Sequence, residues 1–328
     1  MAKKVKKRLM RQGITATDYV YAYLTNDGEL VLSSNDMCQN ENVFHDFGQC
    51  ELTNRRNGMP LAWHNYAKKI VSVKFAEIVR PTTCYKWFQD LEYLTEVKDI
   101  KNLDTVLADD FSYMFLNCKR LKNLNVSGFR TNSCKYMEET FEECKSLTAL
   151  DVSKWNMKQV RSVQGMFMNC KNLTSIDVSS WHTSKVRDFS FLFAGCKKLK
   201  TINASSFNVR KGKSFYGMFI NCEKLTMLDL NTWDMENACL VSGMFSDCKK
   251  LKTLLISKWK LENAEDTHCM FFGCKSLKLL DITNWILDNL KFYLDMFQNC
   301  NLTTLTCTSN TYTKLKDVVP NTAIINFA

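Results

Sequence analysis

The chain has 328 residues, a formal net charge of +10, 45% hydrophobic and 24% charged residues. That is ample for a well-buried core, and the length alone suggests about two domains. Three prolines and eleven glycines leave no room for a Pro/Gly-rich linker, and no run approaches the ~18 apolar residues of a membrane helix.

Residues 1–12 form a basic tail carrying six of the positive charges, read as a solvated tail. Its alternative use is to hold nucleic acid, an anionic surface or a larger assembly. A secretory signal also begins basic but continues with an apolar stretch of roughly 7–15 residues. Here Gly13-Ile14-Thr15-Ala16-Thr17-Asp18 follows, which favours a virion or the cytoplasm over a Sec-exported cell surface.

Residues 13–79 read as an N-terminal β-hairpin and cap. In "YVYAYLTNDGELVLSS" two alternating strands flank Asn26-Asp27-Gly28, a strong hairpin signal. Cys38, His45, Cys50 and His64 could be gathered into a zinc site, but their spacing is unlike the usual paired ligands. They are read as cap residues, and no metal or cofactor is expected.

Residues 80–307 repeat. Cys118, Cys144, Cys170, Cys196, Cys222, Cys248, Cys274 and Cys300 are each 26 residues apart. Three before each stands a phenylalanine, from Phe115 and Phe141 to Phe297. Three after comes a leucine, such as Leu121, Leu147 and Leu173. Six and eight after are aliphatic, as in Leu150 and Val152, and eleven after is Phe or Trp, as in Phe129, Trp155 and Trp181. A weaker copy, "CYKWFQDLEYL", places Phe88 and Leu91 in the Phe and Cys slots.

The "L-x-x-L-x-V-S" segment alternates like a short strand, and "x-x-M-F-x-N-C" reads as a helical turn. The residue before each cysteine (Asn117, Glu143, Asn169, Gly195, Asn221, Asp247, Gly273, Asn299) suits a left-handed backbone. Each repeat is then one coil that cannot bury its own apolar face, whereas stacked coils share a core. About nine coils at ~4.8 Å per strand give a body ~40 Å long. The expected fold is an α/β solenoid, a right-handed leucine-rich-repeat-like stack with parallel short strands and an N-terminal β cap. The cysteine slot points inward and holds reduced thiols, since parallel stacked side chains leave their Cβ atoms farther apart than the ~3.8 Å a disulfide takes.

The pattern "L-x-x-L-D-V-S-x-W-x-T-S-x-V-x-x-x-x-x-M-F-x-N-C" resembles the BspA-like leucine-rich repeat family over roughly residues 80–305. That resemblance implies an open all-parallel solenoid used in adhesion or protein binding. Surface members of that family carry a secretion signal, and none is read here. Residues 308–328 drop the Phe and Trp landmarks and read as the C-terminal cap.

No convergent acid, base or nucleophile set is found: His45, His64, His182 and His268 are scattered without a partner at helical or strand spacing. No catalytic residue is assigned and no enzyme is expected. An Asn/Asp column seven after the cysteine (Asn125, Asp151, Asp177, Asn203, Asp229, Asp281) is expected to satisfy loop amides. A basic ridge follows the cysteines at Lys119, Lys145, Lys171, Lys197, Lys249 and Lys275, able to track an acidic polymer, though outward aromatics for stacking bases are missing. Nucleic acid is therefore not favoured.

Outward strand positions change from Thr148, Ala149, Thr174 and Ser175 to Met227, Leu255 and Leu279, flanked by Lys252 and Lys278. The corners drift likewise at Met235, Leu261, Ile286 and Leu287. Clustered exposed apolar groups mark a contact surface for a protein or glycan partner. The expected function is recognition or adhesion. The alternatives are a structural virion component (a phage fibre, tail or decoration protein contacting the host) and an intracellular effector.

Overall fold

The computed structural model describes residues 15–36, 42–52 and 60–328, so the basic tail over 1–12 and Cys38 lie outside the described residues. The hairpin forms as expected. Strands β1 (Tyr19–Thr25) and β2 (Glu29–Ser33) pair antiparallel with Leu24 opposite Leu30. Their turn is closed by the Gly28 amide donating to the Thr25 carbonyl at 3.1 Å. Gly28 sits at φ +85°, and a Cβ there would lie 2.5 Å from the Lys69 carbonyl, so any side chain would clash.

The sheet continues beyond the hairpin. β3 (Val43–Glu51) adds antiparallel to β1, while β2 runs parallel to β4 (Ser72–Phe75) and β4 parallel to β5 (Glu96–Lys98). The sheet order is β3-β1-β2-β4-β5, so one sheet carries the hairpin directly into the first coils. Val20, Ala22 and Leu24 alternate inward from β1 and join Val73, Phe75 and Trp87 in a continuous core.

Two expectations about the repeat are corrected. Among the described residues the repeats contain no α-helix; the α-helix is α1 (Ser309–Leu315), beyond the last cysteine of the ladder, so the α/β label does not describe the coils. The "L-x-x-L-x-V-S" segment is a paired strand in β6 (Met227–Asp229), β7 (Thr253–Leu255) and β8 (Leu279–Asp281), with β9 (Thr304–Cys307) following. Its counterpart in the first coil is β5, but it is not a strand in the coils after Cys118, Cys144, Cys170 and Cys196. The continuous connection lies on the other run of the coil. Parallel bridges join Asp110 to Tyr136, Tyr136 to Ser162, and so on in steps of one repeat to Phe292.

The turns before each cysteine extend that connection. The amides of Phe111, Tyr113, Phe115 and Asn117 donate to the carbonyls of Tyr136, Glu138, Thr140 and Glu142 at 2.8–2.9 Å. Alternate amides face the next coil because two residues per repeat are left-handed: the one before the cysteine, as expected (Asn117 φ 64°, Asn169 φ 58°), and the one five before it (Tyr113 φ 62°, Phe191 φ 57°). Neighbouring repeats therefore satisfy each other's backbone groups without regular strands.

Inside, the phenylalanine column stacks ring on ring. Phe115–Phe141, Phe141–Phe167 and Phe167–Phe193 have centroids 5.6–5.7 Å apart and planes within 7°. The indoles of Trp155, Trp181, Trp233 and Trp259 stay buried because each Nε1 donates to a carbonyl of the preceding coil (Val126, Val152, Ala204, Leu230) at 2.9–3.2 Å. All eight ladder cysteines are free and buried. Met235, Leu261 and Leu287 are buried too, in a column they share with Thr131, Met157, Thr183 and Val209. That removes them from the outward drift expected at the corners; Ile286 alone of that set is exposed.

At the C-terminal end the Thr308 hydroxyl caps α1, accepting from the Thr311 amide at 3.2 Å. The chain then returns as β10 (Ile324–Phe327), parallel to β9, giving the sheet β10-β9-β8. The closing segment thus covers the edge of the last coil's strand.

Candidate functional site

The three strands β6, β7 and β8 position the expected contact residues. In each, the central residue is buried and its neighbours are exposed, as the two-residue period requires. Met227 pairs with Thr253 and Asp229 with Leu255, so Met227, Leu255 and Leu279 emerge on one outer face. They are 54%, 40% and 65% exposed. Lys252 and Lys278, both exposed, stand immediately before Thr253 and Leu279. The structure thus brings all five residues together.

The Asn/Asp column on the same face is occupied internally. Asp151 accepts from the Ser153 amide and hydroxyl at 3.1 and 2.7 Å, and Asn125, Asp177, Asn203 and Asp281 repeat the motif. Hydrogen bonding from Ser153 and Ser179 holds the Asp151 and Asp177 carboxyls below the usual range.

The basic ridge is corrected to a mixed stripe. Lys119 pairs with Glu92 at 2.9 Å, Lys145 with Glu143 at 2.5 Å, and Lys197 and Lys249 share Glu223 at 2.8 and 3.6 Å. Lys171 and Lys275 have no ion pair among the described residues. Exposed pairs of this kind contribute little stability, and they set three carboxylates along the stripe that a polyanion would follow.

A second surface lies on the opposite run of the coil, before the cysteines. A groove of about 670 Å³ is lined by Tyr216, Leu240, Asp247, Asp266, His268 and Phe272, among others. Beside it the Cys269 sulfur lies 3.2 Å from His268 Nε2. One donor atom each from His268, Cys269 and Asp295 falls within 4.8 Å of the others. Cys269 and Asp295 occupy the same left-handed slot of consecutive coils, at φ 54° for both. The sequence reading missed this group by testing His268 only at helical and strand spacings; comparison across the 26-residue period would have found Asp295. Burial first, then the Asp295 and Asp266 carboxylates, raise the Cys269 thiol, so it stays protonated and is a poor nucleophile as it stands.

Three of the four N-terminal residues weighed as a zinc set and read as cap residues are described. His45 stacks on Tyr66 with centroids 4.7 Å apart, the Cys50 thiol faces the Phe47 carbonyl at 3.8 Å, and His64 Nε2 lies 3.4 Å from the Trp87 carbonyl. An acidic cluster occupies the ladder run of an early coil. There Glu142 is pushed up to about 8 by burial and by the neighbouring Glu139 and Glu143.

The family described as "Mycoplasma protein of unknown function, DUF285" matches three overlapping spans, residues 82–207, 151–255 and 213–319. The chain belongs to the DUF285 family. Together the DUF285 spans take in every cysteine of the ladder, and one repeated unit matched in several overlapping placements is what an unbroken 26-residue register produces. No curated protein matches the chain. Among solved structures, a leucine-rich repeat protein of Leptospira interrogans is 15% identical over 79% of this chain and 73% of that one, with a TM-score of 0.29. A leucine-rich repeat protein from Eubacterium ventriosum is 14% identical over 87% of this chain and 93% of that one, with a TM-score of 0.31.

Proposed function

We propose that this DUF285 chain is a non-enzymatic recognition protein. In this reading its coils form a right-handed leucine-rich-repeat solenoid of the BspA-like kind, and the outer face of β6–β8 binds a protein or glycan partner. The observation that carries the reading is the grouping of Met227, Leu255 and Leu279 on one face. A singly exposed leucine is ordinary, whereas adjacent exposed apolar groups rimmed by lysines have the composition of a contact surface. The small residues at the corresponding positions of earlier coils, such as Ala149 and Ser175, leave that surface to the C-terminal half.

The test is a triple substitution, Met227→Ser, Leu255→Ser and Leu279→Ser, screened beside the unaltered chain on glycan and protein arrays. Loss of the bound feature, with thermal unfolding and circular dichroism unchanged, supports the reading. Retained binding by the folded triple variant overturns it.

A further inference from the structure

We propose that His268, Cys269 and Asp295 bind a divalent metal ion of the zinc type, with one coordination position left open toward the adjoining groove. Imidazole nitrogen, thiolate sulfur and carboxylate oxygen are the donors such ions take. In a tetrahedral site with Zn–S near 2.3 Å and Zn–N near 2.05 Å, sulfur and nitrogen stand about 3.6 Å apart. The Cys269 sulfur and His268 Nε2 are 3.2 Å apart, so a small outward rotation of either side chain admits the ion. The third donor is within 4.8 Å of both.

The neighbouring electrostatics point the same way. Asp247 and Asp266 line the groove, and Asp295 borders it. None of the three is ion-paired to a lysine or arginine among the described residues. A bound cation neutralises these carboxylates and takes the sulfur as thiolate. The step is Cys–SH plus M²⁺ giving Cys–S–M⁺ plus H⁺, with the proton passing to solvent, so binding strengthens as pH rises.

Local backbone explains how adjacent residues reach one ion. Cys269 is left-handed, which turns its side chain toward that of His268 instead of to the opposite side as along a strand. His268 is further fixed by its amide donating to Asp266 at 2.9 Å. The corresponding slots of the two preceding coils hold Tyr216-Gly217 and Ser242-Gly243, so the donor set belongs to the last coils alone. It lies on the opposite run from the β6–β8 face, and its failure would leave the recognition reading untouched.

The experiment is anaerobic titration of the reduced 328-residue chain with Co²⁺, followed by displacement with Zn²⁺. The expected result is a thiolate-to-cobalt charge-transfer band saturating at one equivalent. It should be abolished in Cys269→Ser, retained in Cys239→Ser at the other partly exposed described thiol, and weakened about 100-fold or more in His268→Gln and Asp295→Asn. His268 is exposed, so its variant reads the site even if Cys269→Ser fails to fold. Absence of a saturable band, its persistence in folded Cys269→Ser, or unaltered affinity in His268→Gln overturns the proposal.

Discussion

The Cys170 thiol donates to the carbonyl of Phe141 in the preceding coil, 3.1 Å away. That carbonyl also accepts the Cys144 amide at 3.1 Å, so both its lone pairs are used inside a dry core. The arrangement recurs from Cys118 onto Phe88 to Cys274 onto Phe245 at 3.1–3.2 Å. The repeated cysteine is therefore small enough to pack between rings and polar enough to complete a carbonyl, which neither Ala nor Val does.

Cys170→Ala should lower stability by about 1–2 kcal/mol, combining a small cavity with a lost weak donor. Urea unfolding of the reduced protein measures it. Native-state alkylation should spare the buried ladder thiols and label Cys239, which is partly exposed. A mass map of the non-reduced protein that finds ladder cysteines joined to one another would contradict this arrangement.

Two glycines in left-handed slots separate dihedral strain from crowding. A Cβ on Gly195, at φ +68°, would lie 2.3 Å from Asn169 Oδ1, whereas one on Gly243, at φ +60°, meets nothing nearer than Ile220 Cδ1 at 4.0 Å. Gly243→Ala should cost about 1–2 kcal/mol, the left-handed penalty alone. Gly195→Ala should cost more, until Asn169→Gly is added to relieve the clash. Equal losses for the two single variants would show that crowding is not felt.

The columns were readable because identical slots in one chain face identical surroundings: Phe115, Cys118, Leu121 and Trp155 each announce a buried position by recurring. The hairpin at Asn26-Asp27-Gly28 was readable for a local reason, its turn chemistry. The slot five before the cysteine was not, since Tyr113, Glu139, Gly165, Phe191 and Cys269 share no composition that marks a left-handed backbone. Met235 and Leu261 were misplaced because the variation in their column, from Thr131 to Leu287, looked like drift at exposed corners, whereas that column faces the core throughout. The lysine ridge looked uniform because two acidic members of its own column, Glu92 and Glu223, were passed over, and each meets a lysine of a neighbouring coil. His268, Cys269 and Asp295 were hidden because Asp295 meets the other two only across coils.

Stability should also respond to pH through Glu142. Its carboxyl is raised from 4.5 to about 8 by burial and by Glu139. The folded state therefore holds a proton that the unfolded chain has released, and stability falls as pH rises from about 4.5 to 8, then levels. Glu142→Gln should flatten that decline, gaining most relative to the unaltered chain above pH 8 and least near pH 4. The side chain is partly solvated, so the gain is smaller than the full shift implies. Thermal melts across that pH range test this; a variant whose melting profile parallels the unaltered chain at every pH would contradict it.

The uniform spacing of the ladder restricts how this molecule can change size. Because each coil meets the next through the same amide-to-carbonyl links and the same ring contacts, excising residues 170–195 would bring together two surfaces already shaped for each other. A deletion that is not a whole number of 26-residue periods would set sulfur against indole and left-handed corners against straight runs. Lengthening or shortening should therefore proceed in whole periods, as links are taken from a chain.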